Sequence, residues 1–197
     1  MIRGAEFDEA THTYRWQGRV VPSVTQCLEA AGLSDYSGVP PDVLAAAQWR
    51  GQEVHRFARL LWEGQDCRES VRGTELDGYC SGVWSFWRES GFDPHTWEAP
   101  DIGERDGLRF GYTLDAIGVL GGKVIVDFKT GAPSKGWGPQ LAAYAEQQER
   151  RDGVRRARVI VRVRRDGSYH LVPLREDAND LRIWAAALAI AYYKGGF

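Results

Sequence analysis

Two β-favouring runs, 108–120 and 123–129, meet at Gly121-Gly122, and the second ends an apolar stretch, Val124-Ile125-Val126, in Asp127-Phe128-Lys129. Side chains alternate faces along a strand, so Asp127 and Lys129 project to one side while Phe128 points to the other. Carboxylate and amine therefore address the same ligand. An acid beside three branched apolar residues is costly unless it is paired or bound to a metal. The lysine is also out of character for this chain, whose 25 basic residues include only four Lys, at positions 123, 129, 135 and 194. A guanidinium keeps its proton and needs room for a planar fork. An ammonium is compact, and its pKa shifts far enough to handle a proton or hold a water.

Asp115 lies twelve residues before Asp127, and the loop between them decides whether the two meet. With a two-residue turn at Gly121-Gly122, Leu120 opposes Lys123 and Asp115 falls opposite Phe128, on the wrong face. A three-residue loop, Leu120-Gly121-Gly122 with one glycine left-handed, pairs Val119 with Lys123 and Asp115 with Asp127. Two carboxylates on neighbouring strands suit a hard divalent ion, which takes oxygen ligands, polarises a phosphoryl oxygen and lowers the pKa of a bound water. A metal site here requires the odd loop. The alternative is an exposed Asp and Lys at a strand end.

The flanking pattern predicts an α/β protein. His12 to Trp16 and Arg19 to Val21 flank Gln17-Gly18 as a small hairpin, and Ser23 with Gln26 forms a capping-box pattern for a helix to about Ala31. A linker follows from Ser34 to Pro41. Leu44, Ala47, Gly51, Val54, His55, Ala58 and Leu61 recur at helical spacing between Asp42 and Trp62, and a second helix is expected from Asp77 to Ser90. Strands are expected at Thr96 to Ala99, Leu108 to Leu120 and Lys123 to Lys129, then a helix from Pro139 to Arg151, strands at Ala157 to Val163 and Tyr169 to Val172, and a helix from Ala178 to Lys194. That order is an α/β sandwich, a mixed sheet with helices on its faces.

At 197 residues, with 43% hydrophobic and 26% charged residues, the chain is sized and composed for one globular domain without a disordered tract. The net charge of −2 singles out no polyanionic partner. Cys27, Cys67 and Cys80 are scattered and odd in number, so they build neither a disulfide framework nor a four-thiolate cluster, and a reduced, cytoplasmic setting is expected. Met1 to Glu9 is acidic and lacks the apolar core of a signal peptide, and the longest apolar stretch, Ile183 to Tyr193, is too short to span a bilayer. No membrane association is expected.

Gly111-Tyr112-Thr113-Leu114-Asp115-Ala116, then Val126-Asp127-Phe128-Lys129-Thr130-Gly131, then Gln140-Leu141-Ala142-Ala143-Tyr144, resembles the RecB-like and phage-exonuclease branch of the PD-(D/E)xK nuclease superfamily. The resemblance covers roughly Gly51 to Arg165, and Tyr14 to Thr25, with Val21-Pro22-Ser23-Val24-Thr25, also looks like phage-type members. It implies a restriction-endonuclease-like core, a mixed β-sheet flanked by helices in αβββαβ order, over 42–175, preceded by a hairpin–helix lobe over 1–40 and followed by a C-terminal helix over 176–197. It implies, further, a metal-dependent DNA exonuclease of replication, recombination or repair, using Mg2+ or Mn2+. Asp115, Asp127, the Phe128 carbonyl and the histidine of Gly51-x-x-x-His55 would be ligands, with Glu98 as a further acid. Lys129, Gln140 and Tyr144 would complete the catalytic set.

The imidazole tilts the choice towards Mn2+. An iron–sulfur cluster, which some relatives carry, needs four cysteines and is not expected. Nor is ATP use, because position 117 is Ile and Val124 stands where a phosphate loop needs Ser or Thr. A helicase or a single-strand annealing protein is the expected partner. A structure-specific endonuclease, a non-catalytic DNA-end-binding module and an RNA substrate remain open.

Eight residues between Arg150 and Arg165 are Arg. Arg158, Arg162 and Arg164 fall on one face of their strand, opposite Val159, Val161 and Val163, which suits phosphate tracking or a solvated outer strand. Of the eight Trp, Trp137 in the Gly-rich loop before the Gln140 helix is the expected base-stacking platform.

Overall fold

The computed structural model describes residues 4–34, 38–175 and 178–195. Parts of the expected 34–41 linker, of the N-terminal residues and of the boundary near residue 176 lie outside them. A three-stranded sheet comes first: β1 (Ala5–Asp8), β2 (Thr13–Trp16) and β3 (Arg19–Val21), antiparallel in that order. The sequence reading missed β1. Helix α1 (Val24–Ala30) starts at the expected capping box, with Gln26 N–H donating to Ser23 Oγ (3.1 Å) and Ser23 N–H to Gln26 Oε1 (2.8 Å).

Helices α2 (Pro41–Trp62), α3 (Arg68–Val71) and α4 (Asp77–Glu89) follow. Pro41 opens α2, where a missing N–H costs nothing. The main sheet takes β4 (Asp93–Arg105), β5 (Leu108–Val119), β6 (Lys123–Lys129), β7 (Ala157–Val163) and β8 (Tyr169–Leu174) in chain order. All neighbours are antiparallel except β6 and β7, which α5 (Trp137–Asp152) connects in parallel; α6 (Ala178–Lys194) closes the chain. Among the described residues no helix is long and apolar enough to cross a membrane.

Both faces of β6 are covered. Val124, Val126 and Phe128 join a core with Val54 and Phe57 of α2 and Val83 and Phe86 of α4, while Ile125 joins one with Tyr144 of α5 and Trp184 and Leu188 of α6. Each such side chain, fully buried, contributes roughly 1.5–3 kcal/mol before entropic costs. The β5–β6 loop has the odd length that the register demands: Val119 pairs with Lys123, Gly121 has φ +65°, and Leu120 N–H donates to Gly122 O. The ladder continues to Ala116 opposite Val126 and stops there. Phe110, Tyr112, Leu114 and also Ile117 belong to the α5–α6 core, whereas Ala116 belongs to the opposite one. Strict alternation would separate Leu114 from Ile117, so the in–out alternation of β5 breaks around Asp115, although its register against β4 is the same on either side, Ala99 opposite Leu114 and Trp97 opposite Ala116. In β4 alongside it, Glu98 takes φ +36°, a left-handed value rare for a side-chain-bearing residue.

The arginine face of β7 is covered over Arg158 and Ile160, half-buried at Arg162 and open only at Arg164. The strand is interior, between β6 and β8, and Ile160 on that same face is fully buried with Trp137 and Leu141 of α5. Arg158 is 6% exposed and donates to Asp180 Oδ2 (2.8 Å), Gly138 O (2.9 Å) and Arg175 O. It clamps α5 to α6, so its expected role in phosphate tracking is corrected to a structural one. Trp137 is corrected likewise: as the first residue of α5 it is buried against β7 and offers no face to a base.

Candidate active site

Beyond Ala116–Val126 the strands β5 and β6 lack ladder bonds, and side chains take over the backbone groups. Asp115 Oδ2 accepts the Phe128 N–H at 2.7 Å. The Phe128 carbonyl lies 2.9 Å from His55 Nε2, and His55 Nδ1 lies 3.3 Å from Asp115 Oδ1. Helix α2 thus reaches the strand ends through a single imidazole, which closes a ring with Asp115 and the Phe128 peptide. Next to it Lys129 Nζ stands 2.7 Å from Asp127 Oδ2. Period-two alternation put the amine and the carboxylate on one side, as the tripeptide requires.

These groups line a cleft of about 730 Å³. His55, Glu98, Asp115, Asp127, Lys129, Gln140 and Tyr144 all border it. Gln140 Nε2 donates to Tyr144 Oη (3.0 Å), as their one-turn spacing allows, and Tyr144 stacks on Tyr112 with ring centroids 5.4 Å apart. Glu98 is held by Arg59, Nη1 to Oε2 at 2.9 Å. Arg158, Arg162, Arg164 and Trp137 do not line this cleft. Arg162 donates to Gly131 O at 2.9 Å and so ties down the loop after Lys129, and Arg164 lies exposed just beyond β7.

Burial and charge set the titration of the site. Burial pushes the Asp127 carboxyl up to about 6; Lys129 opposes this and the charge on Asp115 reinforces it. Burial would raise Asp115 too, but the imidazolium beside it holds its carboxyl below the usual range. The same pairing overrides the effect of burial on His55 and raises it to about 9. Burial, countered by Arg59, raises Glu98, and it takes Tyr144 well above the ordinary phenol range.

Asp127 Oδ2 is sealed from solvent and, beyond its ion-pair contact with Lys129, has no hydrogen-bond partner. A buried carboxylate is stabilised by a cation, and the Lys129 ammonium is the one present here. Among the described residues no three His, Cys, Asp or Glu side chains gather closely enough to enclose a metal ion; His55 is paired with Asp115 and Asp127 with Lys129. The donors that converge, two carboxylates, a peptide carbonyl and an imidazole, are mostly oxygen and fit a hard divalent ion by type.

Among solved structures, the chain is similar to a protein of Eubacterium rectale whose exonuclease designation is itself provisional. The match has a TM-score of 0.57 at 14% identity and covers 89% of this chain and 83% of the other. The chain has a nuclease-like fold. At that identity the likeness is one of fold, and neither a family model nor a curated protein matches the sequence.

The sequence reading missed how the N-terminal sheet walls this cleft. Tyr14 Oη lies 2.6 Å from Thr113 Oγ1 and 3.3 Å from His12 Nε2, and Phe7, His12 and Tyr14 all line the cleft. Gly111 makes the docking possible: a Cβ there would lie 1.9 Å from the Tyr14 ring, and its N–H donates to Pro22 O at 2.8 Å. A glycine inside a β-favouring run was the available signal, since it marks a close approach of backbone or ring. Gln52, Arg56 and Arg59 were also missed, although they share a helix face with His55 and border the cleft with it.

Proposed function

We propose that this chain is a divalent-metal-dependent deoxyribonuclease, an exonuclease of the phage type that hydrolyses phosphodiester bonds from DNA ends. One observation carries the reading: Asp115, Asp127 and Lys129, from two strands, meet at the wall of one cleft, with Lys129 Nζ 2.7 Å from a buried Asp127 oxygen. Asp115, Asp127 and the Phe128 carbonyl are the groups that would hold Mg2+ or Mn2+, joined by His55 once its imidazole gives up its proton and its pairing with Asp115. Such an ion, when bound, polarises a phosphoryl oxygen and acidifies water. Lys129 orients or deprotonates the attacking water, and the Gln140–Tyr144 pair steadies the phosphate. Arg59 keeps Glu98 aimed at the cleft. The provisional designation of the Eubacterium rectale protein supports attack from ends over internal cleavage.

The deciding experiment uses end-labelled linear and closed circular DNA, single- and double-stranded, with Mg2+, Mn2+ or EDTA. Linear DNA should be degraded from its ends with either metal and be untouched in EDTA. Cleavage that persists in chelator removes the metal, and cleavage of circles makes the enzyme an endonuclease.

A further inference from the structure

Helix α2 is 22 residues long, yet its first buried residue is Val54. At 1.5 Å per residue its first half extends about 20 Å before that point, and on it Trp49 is 45% exposed. At 100° per residue, His55, Arg59, Gln52 and Arg56 span an arc of about 100°, and Trp49 lies about 20° past Arg56. Those four residues border the cleft, while Val54, Phe57 and Ala58 face the core on the other side. Trp49 therefore continues the cleft-facing arc outward, about 9 Å along the axis from His55. About 10 Å along the same arc, two turns beyond Trp49, the Arg56 side chain is 64% exposed, with a 3.9 Å contact to Glu53.

An exposed indole and, two turns along the same helix face, a solvated guanidinium, both in line with the cleft, combine the two features that grip an unpaired strand: a face for a base and a cation for a phosphate further along it. Internal duplex bases are stacked on both faces, and a blunt end offers only the outer face of its last pair, whereas every base of a single strand is open to a ring. We propose that Trp49 is a stacking platform for an unpaired base of the substrate, and that the enzyme consequently takes single-stranded DNA ends in preference to blunt duplex. This rests on the nuclease reading and adds the strand state of its substrate.

The test is fluorescence anisotropy in EDTA with a fluorescein-labelled 15-nucleotide single strand and a blunt hairpin duplex, using wild type, Trp49→Ala and Trp49→Phe. Stacking on one aromatic ring is worth roughly 1–3 kcal/mol, so Trp49→Ala should weaken single-strand binding about 5- to 150-fold. Trp49→Phe should stay within about 3-fold of wild type, and duplex binding should change less than about 2-fold in either variant. Thermal unfolding of both variants should match wild type, since the side chain packs on no core. Equal losses for both DNAs, or no loss in Trp49→Ala, overturn the inference. So does a Trp49→Ala that binds DNA normally but turns a dimer into a monomer, which would give this face to a second copy. Wild type that cuts DNA with Mg2+ confines such a failure to Trp49. Wild type that neither binds nor cuts DNA removes the nuclease reading and this inference together.

Discussion

Replacing Asp127 by Asn should stabilise the metal-free protein while abolishing its chemistry. The carboxyl is buried, and its pKa rises from 3.8 to about 6 on folding, so the folded state favours the neutral form. Protonation therefore brings stability that is complete below about pH 3.8 and lost as pH rises through about 6. At pH 7 the wild type bears the whole cost of ionising a buried acid. At 1.36 kcal/mol per pH unit this is about 3 kcal/mol, with the Lys129 attraction already included. Asn keeps the size without the charge. In EDTA at pH 7 its Tm should exceed wild type by about 6–12 °C, and at pH 4 the gain should shrink below about 1 kcal/mol.

Saturating Mn2+ should then raise only the wild type, by about 2.7 kcal/mol at one hundred times the dissociation constant, narrowing or closing the gap. Differential scanning fluorimetry over pH 4–8, with and without metal, measures all of this. An Asn variant less stable than wild type at pH 7 in EDTA, or a difference that ignores pH, would refute the reasoning.

Three further changes test separate parts of the structure. Lys129→Arg should lose about as much single-turnover cleavage as Lys129→Ala, on the order of 10²- to 10⁴-fold, with DNA binding nearly unchanged; an arginine variant near wild type would sink the water-activating role. Gly111→Ala drives a methyl into the Tyr14 ring and should cost roughly 1–3 kcal/mol or more, with early proteolysis within residues 5–21 as the lobe lets go; unchanged protease sensitivity would show that the lobe docks by other means. Arg158→Ala strands Asp180 and should destabilise by roughly 3–5 kcal/mol without altering the salt dependence of DNA binding, and a reduced salt slope would restore it as a phosphate contact.

Local pattern foretold the local geometry. The glycine pair and the acid–lysine spacing required a three-residue loop, and Val119 opposite Lys123 delivers it. The last helix ends where its apolar periodicity ends, at Lys194. Groups that act across the chain were less visible. Arginines at alternate positions read as a wet face because hydropathy scores a guanidinium alike whether water or Asp180 satisfies it, and only the packing of α5 and α6 over β7 decides which. Trp137 failed for the same reason. The break in alternation at Asp115 was hidden because a local backbone irregularity leaves no trace in composition, so the acids were expected side by side in a ladder that stops one pair short.

The unpaired ends of β5 and β6 bear on how an inert form for trapping a substrate complex should be made. Asp115 is the acceptor for a backbone N–H inside the protein, and His55 holds the carbonyl of the same residue. Truncating Asp115 to Ala would leave that N–H without an acceptor, a penalty of about 1–3 kcal/mol located at the very residue whose carbonyl is proposed as a metal ligand. Loss of activity in such a variant would then mix a shifted scaffold with a lost carboxylate, and a complex built on it would misreport the geometry. Asn at 115 retains an oxygen for the Phe128 N–H and removes only the charge, so it is the substitution that separates the sheet's requirement from the reaction's.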